Sequence, residues 1–230
     1  MGKKQAKKDS VGGILATIDH IDKSVSAPFH NMTLGPSEIF VLPFALLFNP
    51  AGVVAITILF SLNLIHFERE LDTANKENVT RTEQFYVGVY YVINVLILLL
   101  CSTFAKRIGM RKRPDNPREK NPQASNCRWL DLRSHETNKS MPSGDAAQSG
   151  LLCVYLSVAF PHFYAMMGAF AFSWKLVVMV SMARVLYHCH YWGDTIVGVS
   201  IGCAVVYATS AANLGQLVAM PIAELIVSLF

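Results

Sequence analysis

Apolar residues in this chain come in long runs separated by short polar breaks, and the runs have the length of helices that line or cross a bilayer. From Ile39 to Ile65 the chain is apolar for longer than one span needs, but Asn49-Pro50 interrupts it. Proline and the residue before it resist helix continuation, so the pattern predicts two helices, roughly 37–48 and 50–67. The first is short against the roughly 20 residues of a perpendicular span, which predicts a tilted or partly interfacial helix. After a polar loop over 68–83, Phe85 to Ala105 is the cleanest span, broken only by Asn94 and closed by Lys106-Arg107. Residues 106–142 are polar and charged and belong outside the membrane. Three more helices are expected at about 144–160, 163–187 and 194–215, divided at Pro161-His162 and at the polar cluster from His188 to Asp194. A short apolar segment, 216–230, follows. The expected fold is an all-α, polytopic membrane bundle of six helices over 37–215.

Residues 1–36 precede the first run and read as a lysine tail followed by an amphipathic helix. Val11, Ile14, Leu15, Ile18, Ile21 and Val25 recur at helical spacing, with Asp19, Asp22 and Lys23 off that stripe and Asp9-Ser10 as the expected cap. Gly12 and Gly13 weaken the helix, and the apolar stripe predicts that it lies on the bilayer surface.

Composition supports a membrane protein. The 230 residues are 52% hydrophobic and only 16% charged, and the mean hydropathy is +0.34. Five scattered cysteines without a CxxC argue against a disulfide framework or a zinc site. The net charge of +4 is concentrated in the N-terminal tail and the 106–139 loop, without the aromatic interleaving of a nucleic-acid surface. No secretory signal is expected, because the first apolar run begins only near Ile39. Lys175, inside the fifth segment, would need a partner if buried there. Gly198 and Gly202 form a GxxxG that permits close helix packing.

If the helices alternate across the membrane, the end of the third, the start of the fourth and the turn between the fifth and sixth emerge on one face. Three polar clusters then converge: Lys106 with Arg113-Pro114, Pro142-Ser143-Gly144, and Arg184 with His190 and Asp194. Each residue type has a task in phosphoryl transfer. Two arginines and a lysine neutralise phosphoryl oxygens, the arginines by forked donation. Ser143 and Gly144 open a helix whose unpaired N–H groups and dipole favour an anion, and Gly144 lets the backbone approach closely. His190 and Asp194 stand four apart, which on a helix puts them on one face, so the carboxylate accepts from one ring nitrogen and leaves the other to attack. Taken singly, these residues are ordinary interfacial anchors and caps. Their ordered combination on one membrane face is not what unrelated anchors would produce.

The ordered motifs K-x6-R-P, P-S-G-x and R-x5-H-x3-D resemble those of the type 2 phosphatidic acid phosphatase (PAP2) superfamily, over roughly residues 37–215. The resemblance implies a six-helix core and phosphate binding by Lys106, Arg113 and Arg184. It further implies a phosphohistidine on His190 oriented by Asp194, no metal or other cofactor, and lipid phosphates or diphosphates as substrates. Two positions depart from the family pattern: Ala183 stands where the third motif has serine, and Asp145 where the second has histidine.

That histidine is held to protonate the leaving oxygen, help typically worth about 10²- to 10⁴-fold. Asp145 as a carboxylate would repel the substrate instead. One reading is an active enzyme biased toward polyprenyl or other lipid diphosphates, whose leaving phosphate needs the acid least, with His188 and His135 as stand-in acids. The alternative is a pseudoenzyme, a structural or binding subunit of a membrane complex, in which Asp145 pairs with Arg113 or Lys106 and fills the site. A transporter would rest on Lys175 alone. The expected location is an endomembrane such as the endoplasmic reticulum. Basic residues divide equally between the two sides, and the sequons at Asn31, Asn78 and Asn138 also fall on both, so orientation stays open.

Overall fold

The computed structural model describes residues 2–72, 79–109, 111–115, 132, 139–166 and 169–229, with side chains from Ala16 onward except 169–173. His135, Asn78 and Asn138 lie outside the described residues, as do the side chains of Lys3, Lys4, Lys7, Lys8, Val11, Ile14 and Leu15.

The described residues form an all-helical bundle with helices over all six expected segments. Helix α1 is Gly2–His30, α2 is Glu38–Leu46 and α3 is Pro50–Leu71. Helix α4 is Arg81–Gly109, α5 is Gly144–Ala159, α6 is Pro161–Met166 and α7 is Ala169–Leu186. Helix α8 is Trp192–Ala211 and α9 is Met220–Ser228. Among them α3, α4 and α8 are long and apolar enough to cross a membrane.

The boundaries have local causes. Asn49 stays extended and its side chain accepts from Gly52 N at 2.7 Å, so the Asn-Pro break is an N-cap with proline in the first turn. Helix α4 begins before the apolar run because Thr80 and Glu83 form a reciprocal capping box. Buried Glu68, at the end of α3, accepts from the backbone N–H groups of His162 and Phe163, which accounts for the new helix after Pro161.

Helices α5 and α8 form the centre. A Cβ on Gly202 would lie 1.9 Å from the Ala147 carbonyl oxygen, and one on Gly198 would lie 2.4 Å from that of Ser143, so the GxxxG does permit backbone contact here. Around this pair Phe60, Tyr91, Tyr155 and Phe160 pack ring to ring, and the Tyr155 hydroxyl donates to the Val87 carbonyl at 2.6 Å. Asn94, the one polar break in the third span, is buried and paired: its amide donates to Tyr90 O and its oxygen accepts from Thr209 Oγ1. A second small core joins α2 to α7 through Val41, Ala45, Ala183 and Leu186.

Several expectations are corrected. Residues 2–30 form one continuous helix, so Asp9-Ser10 lies inside it and not at its start. Gly215–Ser228, within the short C-terminal segment, is helical and packs on α4, with Ala219 and Ala223 buried. Lys175 is exposed on α7, so its ammonium needs no buried partner. Replacing Gly202 with alanine should cost about 1–3 kcal/mol through overpacking, seen as a lower Tm in detergent. Gly144→Ala, whose new methyl meets nothing within 4 Å, should not lower it.

Candidate active site

The residues singled out from sequence are brought together at one end of the bundle by four different elements. Lys106 sits in the last turn of α4, Asp145 in the first turn of α5, and Arg184 in the last turn of α7. Arg113 follows α4, and His190 lies in the turn from α7 to α8. The 106–142 loop is closed at its base by a β-bridge between Lys112 and Lys139 and by Ser140 N donating to Arg111 O at 2.8 Å.

Ser143 is the N-cap of α5: it is fully buried, and its hydroxyl oxygen accepts from Ala146 N at 3.4 Å. Its own N–H donates to the Asp194 carbonyl at 3.0 Å, which locks the two helix starts together. An added Cβ at Gly144 would meet open space, so room remains in front of this helix start. Three cations act on Asp145 in the same helix turn. Lys106 lies within electrostatic reach of Arg113, Arg184 and Asp145. Arg113 is buried and donates from Nη1 to the Cys189 carbonyl at 2.6 Å. Arg184, also buried, places Nη1 3.0 Å from Asp145 Oδ2. Lys106 and Arg113, the partners expected for Asp145, act on it electrostatically, and Arg184, in the last turn of α7, is a further partner.

His190 and Asp194 do meet, but not on one helix face. His190 precedes α8, and Asp194 reaches back from the third helical position, with Oδ2 accepting from Tyr191 N at 2.9 Å and lying 3.8 Å from His190 Nδ1. The other ring nitrogen, Nε2, faces Arg113 Nη1 at 3.2 Å. A guanidinium has only donors, so this Nε2 carries the lone pair and the ring proton sits on Nδ1 toward the carboxylate. Burial pushes the imidazole down to about 3, helped by the charges of Arg113 and Arg184 and opposed by Asp194, so the ring is neutral at neutral pH.

The wholly buried Asp194 has partners that sequence reasoning missed. Ser140 Oγ donates to Oδ2, and Arg111 Nη1 donates to Oδ1 at 2.9 Å. Both stood inside the motif region, Arg111 two residues before Arg113 and Ser140 three before Ser143, yet nothing in their type set them apart from neighbouring basic and polar residues. His188 stacks on His30 with ring centroids 4.8 Å apart.

A sequence profile of the PAP2 superfamily matches residues 87–215, more than half of the chain and all of these positions. The chain belongs to the PAP2 superfamily. Its fold is similar to the crystal structure of a transmembrane PAP2 type phosphatidylglycerolphosphate phosphatase from Bacillus subtilis, at TM-score 0.60 and 16% identity over 86% of each chain. A comparison with curated proteins found no match. For this PAP2 protein, nitrogen NMR of labelled histidine at pH 7 should show His190 neutral with its proton on Nδ1, assigned by the signal lost in His190→Asn. A charged ring, or one protonated on Nε2, contradicts the geometry.

Proposed function

We propose that this PAP2 protein is a membrane-embedded lipid phosphatase that acts through His190, with lipid diphosphates favoured over monophosphates. The observation that supports it most is the His190 ring, neutral and buried, with its lone pair turned to a guanidinium in a cluster of three cations. A phosphoryl group held by Lys106, Arg113, Arg184 and the start of α5 would lie beside Nε2. In the first step Nε2 forms a P–N bond while the bond to the leaving oxygen breaks and its electron pair departs with that oxygen. The ring becomes cationic, and Asp194 offsets that charge from the Nδ1 side. Water then adds to phosphorus, the P–N electrons return to Nε2, and dihydrogen phosphate leaves, losing a proton to solvent.

The leaving oxygen decides the substrate. A lipid alkoxide needs a proton as it departs, whereas a departing phosphate does not, so a site without the family's histidine disfavours monophosphates. The setting that goes with this reading is an endomembrane such as the endoplasmic reticulum.

The Asp145–Arg184 pair favours a second reading. It engages one of the three cations, and a protein that keeps it closed would be a binding or assembly subunit without turnover. Phosphate release from a panel of lipid mono- and diphosphates separates the two. The enzyme reading expects release from diphosphates in the wild type, none in His190→Ala, and a gain of about 10²-fold on monophosphates in Asp145→His. No release by the wild type on any lipid, with activity appearing only in Asp145→His, would establish the silent subunit.

A further inference from the structure

Helix α1 lies outside the segment that the PAP2 profile matches, yet its polar face is joined to the turn that carries His190 and Asp194. Asp22 Oδ1 accepts from Gly193 N at 2.8 Å, and Ser26 Oγ accepts from Trp192 N at 3.1 Å. These are two of the N–H groups that the start of α8 leaves without helical partners, and their acceptors stand 171 and 166 residues earlier in the chain. One turn further, His30 Nε2 donates to the His190 carbonyl at 3.3 Å, and Phe29 packs edge-on against Trp192. A Cβ on Gly193 would lie 2.6 Å from Asp22 Oδ2, so a larger residue there would displace the Asp22 carboxylate from its present place.

Arg111 completes the joint. Its Nη1 donates to Asp22 Oδ2 at 2.6 Å and to Asp194 Oδ1 at 2.9 Å, its Nη2 pairs with Asp19 at 2.8 Å, and its guanidinium carbon sits 4.2 Å over the Tyr191 ring. One cation thus binds two carboxylates of α1 to the carboxylate beside His190. The apolar stripe of α1 turns the other way, with Ile18, Ile21 and Val25 more than half exposed.

We propose that α1 is a positioning element of the active site, with Asp22 and Arg111 as the positioning residues that fix Asp194 and the backbone of His190. This rests on the reading of His190 as nucleophile and Asp194 as its orienter. Neither Asp22 nor Arg111 meets the phosphoryl group, so their loss changes turnover and leaves substrate affinity alone.

The full chain in lipid nanodiscs is assayed for kcat and KM on a lipid diphosphate, and hydrogen exchange is followed at the Trp192 and Gly193 amides. In Asp22→Ala and Arg111→Gln, kcat falls by about 10²-fold, the loss expected of misplaced groups, while KM stays within about threefold. Exchange at Trp192 and Gly193 accelerates in Asp22→Ala. Asp22→Asn keeps an oxygen for Gly193 N and recovers part of the loss, and Ser24→Ala, on the exposed side of α1, leaves turnover unchanged. If Asp22→Ala does not fold, Ser26→Ala and Asp22→Asn carry the same two readouts. Turnover within threefold of wild type, a rise in KM at constant kcat, or unaltered exchange each overturns the proposal. Should the wild type release no phosphate at all, the phosphatase reading fails by itself, and the exchange rates alone decide whether α1 holds the turn.

Discussion

Asp194 is a carboxylate with no exposed surface, and a buried charge persists only where donors surround it: removing a partner from such a site commonly costs about 3–5 kcal/mol. The donors come from separate parts of the chain. Arg111 and Ser140 arrive from the two ends of the long loop and Tyr191 from the backbone before α8, while the His190 ring, in the same turn, stands with Nδ1 3.8 Å from Oδ2. Satisfying this one group therefore closes the loop base, starts α8 and orients His190. The close contact of α5 and α8 at Gly198 and Gly202 brings Ser143 into the same network, so the start of α5 and the histidine turn share one joint.

Around that joint the charges are arranged in two layers. Arg111 is held by Asp19, Asp22 and Asp194. Lys106, Arg113 and Arg184 gather at the start of α5, where all three act on Asp145. A phosphoryl group entering there would compete with Asp145 for Arg184. Under the proposed function, the same carboxylate would bear on both the leaving group and the ease with which the site fills.

Much of this was legible in the sequence because the signals are local. Long apolar runs and the Asn49-Pro50 and Pro161-His162 breaks gave helices close to their observed places, and the motif spacings named Lys106, Arg113, Ser143, Gly144, Arg184, His190 and Asp194, which the fold gathers. What escaped depends on tertiary contact. The stripe of α1 shows a polar face but not that Asp22 and Ser26 meet the start of α8. Four-residue spacing implied a helical His190–Asp194 pair, whereas a capping side chain reaching back across the helix start makes the same approach. Arg111 has the same side chain as Arg107 and differs only in what it touches. The helix after Gly215 was hidden because a short apolar tail carries no boundary signal of its own, and its burial against α4 supplies the order.

The central claim is that His190 Nε2 is the nucleophile. Mass spectrometry of the protein quenched in alkali during turnover of a lipid diphosphate tests it directly, since a phosphoramidate survives base and is lost in acid. The expected result is an acid-labile phosphoryl group on His190 that is missing in His190→Ala. Active turnover with the phosphoryl group on another residue, or with none trapped on the protein under any quench, would contradict it.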